Sequence, residues 1–333
     1  MSPTLNRQWR LTRRPTGNFS ESDFELAAGS VPEPADGQFL VRVTHLSVDP
    51  TQRIWAHEDS YLPMQPLGEV MRGMGVGVVE HSRNANFPPG AVVSGVFGMQ
   101  EYALSQGERA SVLPPGVPPE AALAVFGHIG ITAYFGVTDI GRPKTGETMV
   151  VSGAGGAVGS LAGQIGKIMG CRVVGIAGTE DKCRWVREEL GFHAAVNYRA
   201  EDLRASLARH CPNGVDVYFD NVGGAILDAV LERINLRARV ALCGMISDYT
   251  REQGQGISNL RHLIFKRARI EGFLVTDYLP RAGEAMQALG GWLQQGRIKY
   301  KVDMVEGIEN AVSAMNRLLT GANTGKVIVK VAR

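Results

Sequence analysis

The stretch VVSGAGGAVGSLAGQIGKIMG, residues 150–170, reads as a short strand running through a glycine-rich turn into a helix. Met149, Val150 and Val151 form the apolar strand run. Beyond Gly156 the apolar spacing becomes helical, with Val158, Leu161, Ile165 and Ile168 on one face. A glycine-rich turn at a helix start offers unpaired backbone N–H groups at the positive end of the helix dipole, a setting suited to a phosphate or pyrophosphate. Gly153, Gly156 and Gly159 give GxxGxxG, with Ala157 and Val158 between the last two, and a second strand-like run, RVVGIAG, follows. Glycines can also serve helix packing alone, which is the reading for Gly163 and Gly166 inside the helix. The strand, turn and helix context favours a dinucleotide at the other three. A P-loop needs Gly-Lys-Ser/Thr at the turn, and that sequence is absent.

The end of the second strand bears on which dinucleotide is bound. Selectivity for NAD usually places an acid there, on the ribose 2′-hydroxyl, whereas this chain has Ala177, Gly178 and Thr179. Glu180 and Asp181 come later, at the opening of the next predicted helix, where the dipole favours acids for structural reasons. Lys182 follows, and Arg199 lies beyond the third strand. Each is either a ligand of a 2′-phosphate or a solvated surface charge.

Outward from this motif, strand candidates at TMVVS, RVVGIA, AAVNY, GVDVYFD, ARVALCG and RIEGFL alternate with helices and predict an α/β, doubly wound sheet of six parallel strands. Residues up to about 120 differ in texture: short β-like runs such as FLVRVTHLSV and GVGVVE are punctuated by NFPPG and LPPGVPPE, giving a β-rich domain. After about Arg297 come a strand (YKVDMV), a helix and a last strand (KVIVKV), which either extend the nucleotide sheet or return to the first domain. The chain is 333 residues long, enough for two domains. Lys plus Arg number 35 against 33 Asp plus Glu, which gives no general reason to expect a nucleic acid or anionic membrane partner. Cys171, Cys183, Cys211 and Cys243 have no short paired spacing and read as buried free thiols. No apolar run approaches the roughly 18 residues needed for a membrane span and no signal-peptide apolar region occurs near Met1, so a cytoplasmic protein is expected. The acid-free start RQWRLTRRPTG suggests a transit peptide, or more simply a first strand with solvated arginines.

In series, the segments RQWRLTRRPTG, LSVDPTQR, SYLPMQPLGEVMRG, GITAYFGVTDIGRPKTGET, SGAGGAVGS, GCRVVGIAGTEDKC, NYRAEDL, DVYFDNVGG, CGMISDYT and GANTGKVIV resemble the zinc-independent medium-chain dehydrogenase/reductases. Within that family they resemble the prostaglandin reductase and curcumin reductase group of NADPH-dependent alkenal/one double-bond reductases. The resemblance implies a GroES-like substrate domain at 1–120, a Rossmann NADP(H)-binding domain at 121–297, and a return to the substrate domain at 298–333, with the active site in the cleft between domains. It implies pyrophosphate contacts at Gly156 and Gly159, 2′-phosphate contacts at Lys182 and Tyr198, and Asn221 and Asn323 near the nicotinamide. Tyr249 matches the tyrosine facing the substrate carbonyl. A homodimer is also implied; the sequence adds that RIEGFLV would otherwise leave an exposed apolar sheet edge.

The chain departs from the family's usual pattern at Thr51, where tyrosine is usual after Asp-Pro, and at His128 and Ile129, where Met-Pro is usual. Thr51, His128 and Tyr61 are therefore candidates for shaping the substrate site. His128 also fits a hydrogen-bonded structural role, Tyr61 a core or turn aromatic, and Asp49 with Arg53 a local structural pair. No ligand set for zinc is present, since the seven histidines are scattered and the first domain has no cysteine. Without such a Lewis acid, the expected reaction is hydride addition to the β carbon of an α,β-unsaturated ketone or aldehyde, giving an enolate that hydrogen-bond donors stabilise. A quinone reductase and a non-catalytic NADPH-binding redox sensor are the alternatives.

Overall fold

The alternating strands and helices of the central chain assemble as a six-stranded parallel sheet in the order Ala194–Asn197, Arg172–Ala177, Thr148–Ser152, Val215–Asp220, Ile234–Leu242, Arg269–Gly272. The computed structural model describes residues 5–331 and divides into two units: one holds the described residues up to Leu123 and from Val302 onward, the other Ala124–Lys301. Strand Thr148–Ser152 is buried at every position, as expected of a parallel strand covered on both faces. The strand order reverses between Thr148–Ser152 and Val215–Asp220, and ligands of doubly wound sheets bind beyond the carboxyl ends at such a reversal. Ser152 and Asp220 end those two strands.

The helix Ala157–Ile168 buries Leu161 and Ile165 against this sheet. Gly163 faces the Phe192 ring and Gly166 the Met149 thioether, each too closely for a side chain, which accounts for both as packing glycines. Strand Ile234–Leu242 begins earlier than the ARVALCG reading. Its first residues include Leu236, which is 55 % exposed, and Arg237 at φ 61°, with a register shift opposite Val215 and Val217. A polar, irregular start of this kind carries no apolar run to read.

In the other unit, Phe39–Ser47 pairs antiparallel with Met74–Ser82, Tyr102–Ser105 and Lys326–Lys330, and Val302–Glu306 lies parallel to Lys326–Lys330. The C-terminal strand thus joins the sheet of the β-rich unit. Leu5–Leu11 pairs antiparallel with Phe24–Ser30, and the arginines around it have partners: Arg7 with Glu101 at 2.8 Å and Arg13 with Asp23 at 2.8 Å. The expected Asp49 and Arg53 pair does not form. Asp49 binds Lys326 at 2.6 Å, while Arg53 donates to the carbonyls of Gly17 and Pro15. The reason is reach: the strand Lys326–Lys330 beside Ser47 brings a cation to Asp49 that the local sequence does not contain.

The helical stretch Pro119–Gly141 has the length and apolarity of a membrane span, but 67 % of its most apolar window is buried within the protein, as in a core helix. All four cysteines are free; burial pushes the thiols of Cys171, Cys183 and Cys211 up to about 11 and that of Cys243 up to about 12, so none is a thiolate near neutrality.

His45 gives a pH dependence. It is half-buried; burial lowers its pKa, Glu120 and Glu306 push it back up, and Lys330 adds to the lowering. The unfolded chain therefore binds the proton first as pH falls below about 6.5, so this group's contribution to stability is greatest above that pH and is lost below it. The thermal midpoint of wild type is expected to fall more between about pH 7.5 and 5.5 than that of His45→Gln. Equal falls in a melting series would remove His45 from the account.

Candidate active site

Gly153 turns the chain out of strand Thr148–Ser152 at φ 59°, a left-handed conformation suited to glycine. The Gly156 N–H donates to the Gly153 carbonyl at 2.9 Å, and a Cβ on Gly159 would collide with that same carbonyl. The turn therefore folds onto the helix start. Gly156 is the N-cap, extended and without a side-chain cap, and the first backbone bond back to it comes from Ser160 at 3.0 Å. The N–H groups of Ala157, Val158 and Gly159 are left for an acceptor outside the helix, which is what a pyrophosphate needs.

At the end of the second strand, the Thr179 hydroxyl caps the next helix by accepting the Lys182 N–H at 3.3 Å. This cap turns the Lys182 stem across the glycine turn: a Cβ on Gly155 would lie 3.0 Å from the Lys182 Cβ and Cδ. Glu180 and Asp181 stand in the first turn of that helix and pair with Arg187 and Arg184. Tyr198 and Arg199 close the other side, since a Cβ on Gly178 would meet the Tyr198 Cε1 at 3.2 Å and the Arg199 Nε at 3.3 Å. The Arg199 Nε donates to the Tyr198 hydroxyl at 3.3 Å. The strand end thus has cations and a phenol where an acid would disfavour a 2′-phosphate. The donor set fits a phosphorylated dinucleotide.

Asn221 follows the fourth strand. Its Nδ2 donates to the Ser152 carbonyl at 2.7 Å and its backbone N–H to the Ser152 Oγ at 2.9 Å. Among the described residues no donor reaches its Oδ1, so this oxygen fits an amide such as the nicotinamide carboxamide. The loop after Leu242 is laced onto the same segment: Ile246 N–H donates to the Asn221 carbonyl at 3.3 Å and Ser247 N–H to the Val222 carbonyl at 3.1 Å. That lacing brings Tyr249 in. Its hydroxyl oxygen accepts the Met245 N–H at 3.1 Å, and a Cβ on Gly244 would lie 3.0 Å from it and 3.4 Å from the Asn221 carbonyl oxygen. Accepting an N–H uses a lone pair and not the hydroxyl proton.

Thr51, Tyr61 and Asn323 belong to the β-rich unit. Thr51 opens the helix Thr51–Trp55, and Tyr61 meets Trp55 edge-on at 6.3 Å. Burial raises the Tyr61 phenol, while the neighbouring Trp55 and Thr51 act the other way. Asn323 is buried and donates to the Gly325 carbonyl at 2.9 Å, three residues before Lys326. The Lys326 ammonium bonds both the Val48 carbonyl and the Asp49 carboxylate at 2.6 Å, and so ties the chain just before Thr51 to the chain just after Asn323. His128 opens the helix His128–Phe135 in the nucleotide unit, behind Gly127.

Two parts of this arrangement were not singled out from sequence. Lys326 is distant from Asp49 along the chain and carries no local signal. Ser152 and Asp220 read only as strand ends. Arg199, by contrast, was visible as a cation just past the third strand, and the structure groups it with Tyr198.

Comparison with known proteins accords with this geometry. Residues 7–113 match a family described as the N-terminal domain of oxidoreductase, and residues 157–290 one described as zinc-binding dehydrogenase. The chain is 41 % identical to the NADPH-dependent curcumin reductase of Escherichia coli, over 98 % of this chain and 97 % of that protein. It belongs to the zinc-independent medium-chain dehydrogenase/reductases. A 2-alkenal reductase (NADP(+)-dependent) of Nicotiana tabacum is 39 % identical over 98 % of both chains. The crystal structure of CurA from Vibrio vulnificus in complex with NADPH superposes with a TM-score of 0.93 at 42 % identity, covering 98 % of this chain and 99 % of that one. Although one matched family is named for zinc, in this medium-chain dehydrogenase/reductase no group of three or more His, Cys, Asp or Glu is placed to hold a metal among the described residues.

Proposed function

We propose that this chain catalyses the NADPH-dependent reduction of the carbon–carbon double bond of α,β-unsaturated ketones and aldehydes. The observation that carries the reading is the convergence of Asn221 and Tyr249 beyond the ends of the two central strands, beside a glycine turn flanked by Lys182. NADPH, when bound, supplies the hydride that adds to the β carbon. In this reading Gly153, Gly156, Ala157, Val158 and Gly159 hold the pyrophosphate through backbone N–H groups, while Gly178 and Thr179 leave room at the strand end. Lys182 and Tyr198, with Arg199 beside them, hold the 2′-phosphate; Asn221 and Asn323 orient the nicotinamide end. The Tyr249 hydroxyl donates toward the substrate oxygen as negative charge develops there, and a proton then completes the reduction at the α carbon. Thr51, Tyr61 and His128 shape the substrate site. Oxidation of NADPH by an enone, with the saturated carbonyl compound as product, tests the reading; no oxidation across a panel of enones and alkenals would refute it.

Lys182→Ala should weaken NADPH much more than NADH, because a charge-assisted hydrogen bond contributes about 1.5–3 kcal/mol. Titration of both cofactors checks this, and equal losses would remove Lys182 from the phosphate site.

The free thiols favour a reducing, cytoplasmic setting. The outer edge of strand Arg269–Gly272 is unpaired in the single chain, and nearby Phe265 and Leu274 are 63 % and 36 % exposed. A second copy pairing along this edge makes a homodimer that covers it. Light scattering at micromolar concentration should give the dimer mass; a monomer would contradict this.

A further inference from the structure

Four donors converge on one oxygen of Asp220. The Ser152 and Tyr218 hydroxyls each lie 2.7 Å from its Oδ1, the Val222 N–H 2.9 Å and the Gly223 N–H 3.0 Å. Asp220 itself is fully buried, and among the described residues its Oδ2 has no hydrogen-bond partner. Its backbone carbonyl accepts two more bonds, from Cys243 N–H at 2.8 Å and Gly244 N–H at 3.1 Å. One residue thereby joins the ends of two central strands, the turn after Asn221, and the loop that leads to Tyr249.

Ser152 extends the frame. Its hydroxyl donates to Asp220 while accepting the Asn221 N–H, and its carbonyl receives the Asn221 side chain. Asn221 is thus held by both its main chain and its side chain, and the geometry of that hold depends on where Asp220 fixes the serine hydroxyl. A strand needs no such arrangement to end. Burying a carboxylate with one oxygen unsatisfied is costly, and the four donors on the other oxygen offset that cost while being held in one place. Burial pushes the Asp220 carboxyl above its ordinary range, while its four donors pull it back. Burial also keeps the Tyr218 phenol neutral, so it remains a donor to Asp220.

We infer that Asp220 is a positioning residue for the nicotinamide end of the cofactor site, acting through Ser152 on Asn221 and through the 243–244 backbone on Tyr249. This rests on the proposed NADPH reading. Asp220 touches neither cofactor nor substrate in this role; it fixes the groups that do.

The test separates the two ends of the cofactor. The fragment 2′,5′-ADP carries the adenosine and 2′-phosphate but no nicotinamide, so it reports on the turn and Lys182 alone. Asp220→Asn keeps the volume and an acceptor oxygen but removes the charge; Ser152→Ala is a milder variant that removes only the relay hydroxyl. Calorimetric titration should give 2′,5′-ADP affinities within about twofold of wild type for both variants, with NADPH weakened about tenfold in Asp220→Asn and in the same direction in Ser152→Ala. Single-turnover hydride transfer in Asp220→Asn should slow by about 10²-fold, the scale expected when reacting groups are misplaced by roughly an ångström. Equal weakening of NADPH and 2′,5′-ADP in both variants would mean a general structural role and overturn the inference, as would unchanged NADPH affinity and hydride transfer. Failure of the wild-type protein to bind 2′,5′-ADP would instead overturn the cofactor reading, and the inference with it.

Discussion

Tyr249→Phe is expected to lower hydride-transfer-limited turnover by about 10²–10³-fold, the usual cost of removing one donor to a developing oxyanion. The substitution keeps the ring and removes only the hydroxyl. Phenylalanine gives up the part-buried backbone bond that the hydroxyl accepts from Met245 at 3.1 Å, a loss of about 0.5–1.5 kcal/mol. A thermal midpoint only modestly below wild type should therefore accompany the kinetic loss. The loss should fall on kcat and kcat/KM alike, since the interaction strengthens only as charge develops on the substrate oxygen. If turnover is unchanged, and isotope effects show that hydride transfer limits both proteins, the hydroxyl has no important role.

Lys326→Met is expected to destabilise the β-rich unit by about 3–5 kcal/mol, the cost of leaving a buried charge without its partner. The ammonium lies 2.6 Å from both the Asp49 carboxylate and the Val48 carbonyl, and its side chain is 2 % exposed. Burial lowers the lysine pKa and Asp49 opposes that lowering, so the carboxylate favours the charged ammonium. Asp49 also accepts from the Ser47 hydroxyl at 2.5 Å, and a neutral hydroxyl cannot replace a cation. Combining Lys326→Met with Asp49→Asn should cost less than the sum of the two single changes, because no charge is then stranded. Thermal or denaturant melts of the four proteins give the coupling, and strictly additive losses would show that the pair contributes nothing as a pair. Because the pair ties the approach to Thr51 to the segment after Asn323, the folded fraction of Lys326→Met should also show a raised KM.

The sequence carries the nucleotide unit's plan because its signals are local. The apolar run Met149–Val151, a glycine turn and a change to helical spacing lie within residues 148–168, and the structure places a strand, turn and helix there. The placement of Lys182 is local too: it stands three residues after Thr179, whose hydroxyl caps its helix. What escaped depends on distance. The Asp49 and Lys326 partners are 277 positions apart, and only the pairing of Ile328 with Ser47 brings them together. Arg53, adjacent in sequence to the Asp49 segment, was the reasonable local partner and was displaced by that pairing. The Asp220 frame escaped likewise: its hydroxyl donors come from a neighbouring strand and from its own, and no spacing rule marks a carboxylate that gathers them.

Hydride delivery to the β carbon, without reduction of the carbonyl, is read from isotope placement. An enone is incubated with the purified protein and NADPH carrying deuterium at both C4 positions of the dihydronicotinamide, and the product is examined by NMR. The expected product is a saturated ketone with deuterium on the β carbon; an allylic alcohol with deuterium on the former carbonyl carbon, or reduction of quinones with no enone product, would contradict the proposed reaction.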